Sequence, residues 1–535
     1  MKKVYYCIII LALVVIVSHI NTFNNDFIFL DGYNHIIGDP AIKNLNLNKV
    51  FSIFSPSREL VKTKYLFYSP LHTLSLAVDY QLYGLNPRGY HITNTLLHLL
   101  ACIAVFYFVL LLAKNTYVAF WTAVFFALHP VHVEAVTWIN ARFYPLAALF
   151  IFLSLIFYIK RNELKWAYPA SIIFYICACL SHNSAIVLPA LIFLYDINFE
   201  IKKKRDWPEK LKGYVPYIVV GLLLYGAFQY YGVGEWYRFE NWKMMTAKII
   251  TRVAFPFSML ALPFSVYYVG YNFQGIWPPL VIEILKMCLL FLSFIAIFTV
   301  NNFYKKDRIK SFSILWIIIY LLPFLPMSIF ERYLYIPSFG FCLLLACYMN
   351  QIRNQRLPVN FKVSAKFISA LLCILISIFY FTATVEKNTF WRDSFTLSKR
   401  LLKYPDTSAH IIAGDFYVSR QQWEKAREEY LLAKNGQECT DFRFYYKLGD
   451  VYEKIHDPDK AKDNYLSAID IMEKENLASR RGSCRTLAYL YKRAADLYTK
   501  SGNVSLAQEY LKKADRLERS ISQGESGKSP VSKAP

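Results

Sequence analysis

Long apolar runs recur along this chain from its N-terminus to about residue 385, and short polar stretches, mostly basic, separate them. A run of about 18 or more apolar residues can cross a hydrocarbon core of about 30 Å as a helix, which satisfies every backbone amide inside the segment. The runs predict eleven spanning helices, at about 4–20, 92–112, 115–129, 143–159, 166–181, 184–198, 214–232, 279–300, 312–329, 334–350 and 367–385. Beyond about residue 385 the pattern changes. The remainder is polar, rich in Lys, Glu, Asp, Ala and Tyr, and holds no spanning run.

Charge sets the sidedness. Met1-Lys2-Lys3 places the N-terminus inside, and the basic loops at 160–165, 202–205, 305–308 and 353–366 then all fall inside, as the positive-inside rule requires. The segment Ile249–Val269 is apolar but carries Arg252, Pro256 and Pro263. A full crossing there would invert every later loop, so it reads as re-entrant or interfacial. The first run fits a signal peptide or an uncleaved helix; no small-x-small site follows it, and an uncleaved helix is expected. The polar C-terminal region then lies outside. The net charge of +22 resides largely in the inner loops, which argues against a nucleic-acid partner. Eight of the ten cysteines lie in or beside apolar runs and read as small buried hydrophobes. Cys439 and Cys484 lie in the polar region, where a bridge between them is conceivable only in an oxidising compartment.

The polar region repeats. From Gly414 the residues at +3, +12, +16 and +19 are Tyr417, Ala426, Tyr430 and Ala433; from Gly449 the same offsets give Tyr452, Ala461, Tyr465 and Ala468. A weaker third copy has Ala494-Ala495, Tyr498, Ala507, Leu511 and Ala514. Small residues at helix contacts with aromatics between them are the tetratricopeptide (TPR) pattern of paired helices. The expected organisation is all-α: a polytopic membrane domain over 1–385, a connector over 386–405, about three TPR-like repeats over 406–519, and a disordered tail over 520–535. The groove of such a solenoid takes an extended or helical peptide.

The outer loops hold the candidate chemistry. The first, at about 21–91, carries Asp31, His35 and Asp39; the second carries His129, His132 and Glu134, with Arg142 beyond; a later one carries Glu331, Arg332 and Tyr333. Ionisable groups at helix mouths are costly to hold there and are functional candidates by default. Each has a plainer reading: a turn-forming Asp31-Gly32, capping by the histidines, a Glu331–Arg332 structural pair. His129-Pro-Val-His132 with Glu134 is a weak metal signature, and no metal is expected there.

Four stretches, in order, resemble the transmembrane-and-TPR glycosyltransferase family, which is related to the protein O-mannosyltransferases of the GT-C class. They are YSPLHTLSLAVDYQLYGLNPRGYHITNTLLHLL (68–100), FALHPVHVEAVTWINAR (126–142), ERYLYIPSFGF (331–341) and FWRDSFTL (390–397). The resemblance implies a GT-C-like membrane fold and a polyprenyl phosphate sugar donor, with mannose as the candidate sugar. It also implies a hydroxyl acceptor, with protein as the candidate, on the outer face. The acceptor hydroxyl needs a base, and a carboxylate contributes typically about 10²–10⁴-fold in that role; Asp31 is the residue assigned to it. The leaving phosphate is already anionic and needs positive charge, for which Arg142 and Arg332 are rivals, since a guanidinium fork fits phosphate. His129, His132 and Glu134 are expected donor contacts, and Asp39, His35, Glu331 and Tyr333 rank behind them.

The chain also departs from that family. Its usual acidic pair is Asp31-Gly32, its Tyr-Arg-Pro is Tyr68-Ser69-Pro70, an acidic residue aligns with Tyr144, and its Ser-Lys-Glu is Ser181-His182-Asn183. These lost charges keep a second expectation open: a catalytically inactive, membrane-anchored TPR docking protein. The membrane would be the cytoplasmic membrane of a bacterium, with the TPR domain outside, or the endoplasmic reticulum of a eukaryote, with that domain lumenal.

Overall fold

The structure, a computed structural model, describes residues 2–28, 36, 42–43, 45–55, 68–201, 207–231, 259–260, 307–324, 330–355, 364–401, 407–436, 442–474 and 481–522. Asp31, His35 and Asp39, the helix expected at 279–300, all of 249–269 except Met259 and Leu260, and Cys439 lie outside the described residues. Every regular element among the described residues is helical. The chain divides into two compact units: residues 1–55 with 68–392, and 393–535 with 56–67.

The first unit contains α1 (Lys2–His19), α2 (Leu47–Phe54), α3 (Pro70–Tyr83), α4 (Pro87–Ala113), α5 (Thr116–Leu128), α6 (Val133–Thr137), α7 (Phe143–Ile159), α8 (Ala167–Ser181), α9 (Leu188–Tyr195), α10 (Trp207–Tyr230), α11 (Arg308–Leu321), α12 (Ser338–Arg353) and α13 (Ala365–Asn388). Local chemistry sets their ends. Asn86 accepts from the Arg88 amide and Pro87 opens α4, so the first turn loses no needed donor. Asn115 accepts from the amides of Tyr117 and Val118 at the start of α5. Pro130 follows the end of α5 and cannot extend its hydrogen-bond ladder.

Among the described residues, five helical stretches are long and apolar enough to cross a membrane: Lys2–Asn24, Pro87–Ala113, Ile139–Asn162, Lys210–Tyr230 and Ala365–Trp391. A sixth arises if Thr116–Leu128 and Pro130–Thr137, bent by 49°, form one broken span. The other described segments expected to span hold shorter helices. The run expected as one helix at 184–198 is a 3-10 turn, α9 and a π turn (Asp196–Glu200). Apolarity measures affinity for lipid and does not report where a helix is interrupted.

Where α4, α7, α11 and α12 meet, the core is aromatic. Phe152 stacks on Trp316 at 5.7 Å, and Trp316 meets Phe339 edge-on at 4.7 Å. The Trp316 indole donates to the Ile336 carbonyl at 3.0 Å, so its polar edge is satisfied inside that core. At the Ile159 end of α7 a polar staple replaces apolar packing. Asp196 accepts from the hydroxyls of Tyr158 and Tyr214 at 2.6 and 2.7 Å, and Lys210 bridges Asp196 and Glu200 at 3.0 and 2.6 Å.

The second unit holds α14 (Ser394–Leu401) and three antiparallel pairs: α15 (Thr407–Ser419) with α16 (Trp423–Gly436), α17 (Phe442–Lys454) with α18 (Pro458–Lys474), and α19 (Arg481–Lys500) with α20 (Val504–Ser522). The repeat offsets have a direct physical cause. A Cβ on Gly414 would lie 2.3 Å from the Tyr430 ring, and one on Gly449 would lie 2.6 Å from the Tyr465 ring. Each tyrosine then donates its hydroxyl to the aspartate after the glycine, Tyr430 to Asp415 at 2.5 Å and Tyr465 to Asp450 at 2.6 Å. The third copy has Ala495 and Leu511 at those two positions, and Leu511 is exposed where Tyr430 and Tyr465 are buried. Successive pairs are joined by Lys447 to Asp415 at 2.6 Å and by an Arg493–Glu453 ion pair.

Gly449→Ala overpacks this contact and is expected to cost about 1–3 kcal/mol. Adding Tyr465→Leu, which copies the third repeat, should restore part of that loss. Limited proteolysis of the 393–535 unit in the full-length protein reads both effects; equal protection of wild type and Gly449→Ala would show that the contact is not tight.

Candidate active site

The second outer loop is wound back into the fold. After Leu128 the chain makes a 3-10 turn (Pro130–His132), α6, a second turn (Ile139–Arg142) and then α7. Its ionisable side chains are therefore enclosed rather than spread over a surface: His129, His132, Glu134 and Arg142 are all buried. Enclosed polar groups must find partners or cost about 1–3 kcal/mol each, and the structure shows where each one goes.

Glu134 reaches across to the late loop. Its carboxylate accepts from the Arg332 backbone amide at 2.9 Å and pairs with the Arg332 guanidinium. That guanidinium lies 4.0 Å from the Phe330 ring centre, 5.2 Å from Tyr333 and 5.4 Å from Trp138, a cation held among aromatic rings. Beside it, both oxygens of Glu331 accept from Lys387 at 3.0 Å. Burial pushes the Glu331 carboxyl above its ordinary range, and the Lys387 ammonium only partly offsets this. Asn388, the next residue, ties this end of α13 to the loop and to the end of α1. It accepts from Thr137 at 2.8 Å and donates to the Ser18 carbonyl at 2.8 Å.

The histidines face the interior. His129 donates from Nε2 to the Leu260 carbonyl at 3.1 Å, and His132 Nε2 lies 2.7 Å from the Ser338 hydroxyl. The His132 ring is 5.8 Å from His129 and 5.5 Å from His98, and His98 is 5.3 Å from His19. Four imidazoles thus stand in file. His98 donates from Nε2 to the Ala127 carbonyl at 3.1 Å, which leaves its Nδ1 to accept from the Tyr335 hydroxyl at 2.6 Å. No group of three or more His, Cys, Asp or Glu side chains among the described residues is placed to hold a metal ion.

Arg142 belongs to a different cluster. It pairs with Asp79 of α3 at 2.6 Å, with the two side chains 0% and 3% exposed. Its Nη2 donates to the Tyr90 carbonyl at 3.3 Å, and Thr93 donates to the other Asp79 oxygen at 2.8 Å. Burial raises the Asp79 carboxyl above its ordinary range even with Arg142 opposing it. Arg332, by contrast, keeps 14% of its side chain exposed. Phe27 and Ile36, on either side of Asp31 in sequence, pack with Leu76, Ala77, Tyr90 and Ile139. The flanks of the Asp31 segment are thus held on the helices that carry the Asp79–Arg142 pair.

Two positions that depart from the family pattern touch each other. Tyr144 lies 4.7 Å from His182, centre to centre, and His182 also stacks on Phe143 at 4.9 Å. Where the resemblance leads to an acidic residue and a lysine as expectations, these two positions instead form an aromatic contact. Sequence reasoning missed Asp79, Lys387, Asn388 and Trp138. Asp79 carried a usable signal, being a lone carboxylate among apolar residues in SLAVDYQL. Lys387 and Asn388 carried none beyond their place at the end of the last span.

Removing one partner of the Asp79–Arg142 pair strands a buried charge. Arg142→Met and Asp79→Leu are each expected to destabilise by about 3–5 kcal/mol, and the double variant by less than their sum. Thermal unfolding of the detergent-solubilised protein checks this; additive losses would mean that the two groups do not depend on each other.

Two segments, residues 442–474 and 488–521, match the tetratricopeptide repeat family model. Protein O-mannosyl-transferase TMTC3 of Mus musculus is 24% identical over 455 residues, covering 76% of this chain and 48% of the relative. A protein O-mannosyl-transferase of Caenorhabditis elegans is 23% identical over 423 residues, covering 76% of this chain and 58% of its own length. Protein O-mannosyl-transferase TMTC2 of Mus musculus is 42% identical over a shorter stretch of 94 residues. The chain thus spans about half the length of the curated relatives it matches. The resemblance read from the sequence holds: this is a helical chain with apolar membrane-type helices and tetratricopeptide repeats, similar over about three quarters of its length to proteins named protein O-mannosyl-transferases.

Proposed function

We propose that this protein is a membrane glycosyltransferase that moves a sugar, mannose by the naming of its relatives, from a polyprenyl phosphate to a hydroxyl acceptor. The observation that carries the reading is the similarity to named O-mannosyl-transferases over most of the chain, joined to the meeting of Glu134, Arg332, Glu331 and Lys387 in one place. In this reading the acceptor oxygen attacks the anomeric carbon from the face opposite the phosphate. Asp31 takes the hydroxyl proton, the bond from carbon to phosphate oxygen breaks, and the lipid phosphate leaves as an anion.

Arg332 is the favoured phosphate contact. It is a guanidinium with some exposure, set among aromatic rings and held by Glu134, whereas Arg142 is wholly buried and committed to Asp79. A cation already oriented by a carboxylate costs no reorganisation when charge develops on the leaving group. His129 and His132 act in this scheme as positioning residues, since their interior hydrogen bonds fix the loop that carries Glu134.

The finer placement follows from the charge pattern: eleven spans, with the first outer loop and the TPR unit on the extracytoplasmic or lumenal side. The repeats offer a surface for a protein or peptide partner. The second reading, a docking protein without chemistry, rests on the charges lost at four sites, Gly32, Ser69, Tyr144 and His182-Asn183, beside intact TPR spacing.

Asp31→Asn decides between them. Purified protein supplied with polyprenyl phosphate mannose and an acceptor peptide rich in Ser and Thr should add hexose to the peptide, read by mass spectrometry. The variant should lose about 10²-fold or more of that rate while keeping its thermal stability. Unchanged turnover in Asp31→Asn would remove Asp31 from the mechanism, and no transfer by the wild type to any hydroxyl acceptor would favour the docking reading. Arg332→Met should raise the donor KM and also lower kcat, since it removes charge from the leaving group.

A further inference from the structure

Two polar atoms in the stretch that follows α6 have no partner in the fold. The Trp138 indole Nε1 and the Asn140 side-chain oxygen are shut away from solvent, and neither makes a hydrogen bond among the described residues. Trp138 is 7% and Asn140 9% exposed. Facing them from α4, the side-chain oxygen of the fully buried Asn94 also has no hydrogen-bond partner among those residues. A buried donor or acceptor left unmade is costly, so native folds keep few, and those few point to a ligand, an ordered water or a catalytic role.

These groups are firmly placed. Asn94 donates to the Val136 carbonyl at 2.9 Å and to the Trp138 carbonyl at 3.4 Å, which fixes the backbone that carries the indole. Trp391 lies nearly parallel to that indole, 6.0 Å away with 17° between the planes, which sets its orientation. The Trp138 ring centre is 5.4 Å from the Arg332 guanidinium carbon. An oriented donor and an oriented acceptor thus stand beside the cation assigned to the phosphate.

We propose that Trp138 and Asn140 recognise hydroxyl groups of the hexose carried on the lipid phosphate, and so set the sugar specificity of the site. The chemistry narrows the ligand. A phosphate diester only accepts and cannot satisfy the Asn140 oxygen; an ammonium only donates and cannot satisfy the indole N–H. A sugar hydroxyl does both. Position narrows it further. A hexose is joined to its phosphate through one oxygen, so a phosphate on Arg332 holds the ring within reach of Trp138. Ordered water satisfies such atoms as well, and the test separates water from sugar. The inference rests on the donor reading above and adds to it the residues that read the sugar.

The test measures binding to the full-length protein in detergent with two short-chain lipids. One is polyprenyl phosphate mannose; the other is polyprenyl methyl phosphate, which keeps the diester charge and lacks the sugar. Trp138→Phe removes the indole donor, and Asn140→Leu removes the acceptor. Each should weaken the mannosyl lipid about 10-fold, the worth of roughly one hydrogen bond, and leave the methyl diester within about twofold. Equal weakening of both lipids would overturn the inference, since Trp138 and Asn140 would then only support Arg332. Unchanged binding of both would also overturn it, and is the result expected if water alone meets these atoms. Should a variant fail to fold, monodeoxy mannosyl lipids read the same contacts on the wild type. At least one should bind about 10-fold more weakly; equal affinity across the series would sink the idea. A wild type that binds no mannosyl lipid at all would overturn the donor reading itself, a result distinct from binding without sugar dependence.

Discussion

A guanidinium and a carboxylate taken out of water must stay together, and the pair formed by Arg142 and Asp79 sets the geometry of everything around it. Isolated, either charge would cost several kcal/mol in so buried a place. Paired, they bring together three parts of the chain: α3 through Asp79, α4 through Thr93 and the Tyr90 carbonyl, and the start of α7 through Arg142. The second outer loop is thereby closed at one end. Its other end is fixed by His129, which donates to the Leu260 carbonyl, while Thr137 and Asn388 bind the last span of the unit to the first. Between those anchors Glu134 has little freedom, and its carboxylate meets Arg332.

This arrangement separates two kinds of charge. Arg142 and Asp79 act as a strut and face no solvent. Arg332 and Glu331 keep some exposure, with the buried Lys387 paired to Glu331, and Arg332 lies among Trp138, Phe330 and Tyr333. The distinction matters for mechanism, because a group that binds a leaving phosphate must be reachable, and a group that holds the frame must not exchange its partner for a ligand. Two arginines of equal standing in the sequence are unequal in the fold.

Much of this was legible beforehand where the controlling physics is local. The limits of α7 match those expected from the apolar run alone, Phe143–Ile159. The repeat offsets of the second unit are the spacing at which a glycine makes room for a tyrosine ring on the facing helix, so Gly414 with Tyr430 and Gly449 with Tyr465 were visible as pattern before they were visible as contact. What stayed hidden was non-local. Nothing near Asp79 in sequence points to Arg142, and nothing near Glu331 points to Lys387. Composition also could not show that the run at 184–198 is interrupted, because a broken helix is as apolar as a whole one. Tyr144 and His182 stand far apart in sequence, and only the fold shows that their rings meet.

The central claim is that one reachable guanidinium, Arg332, receives the phosphate of a lipid-linked sugar while the Asp31 carboxylate faces the anomeric carbon. An experimental structure of the full-length protein in a nanodisc with polyprenyl phosphate mannose bound tests it most directly. The account predicts the phosphate in hydrogen-bond contact with Arg332, the Asp79–Arg142 pair unbroken, and the Asp31 carboxylate on the side of the sugar opposite the phosphate. Phosphate density at Arg142 with its bond to Asp79 broken, or a donor bound with Asp31 far from the sugar, would contradict it.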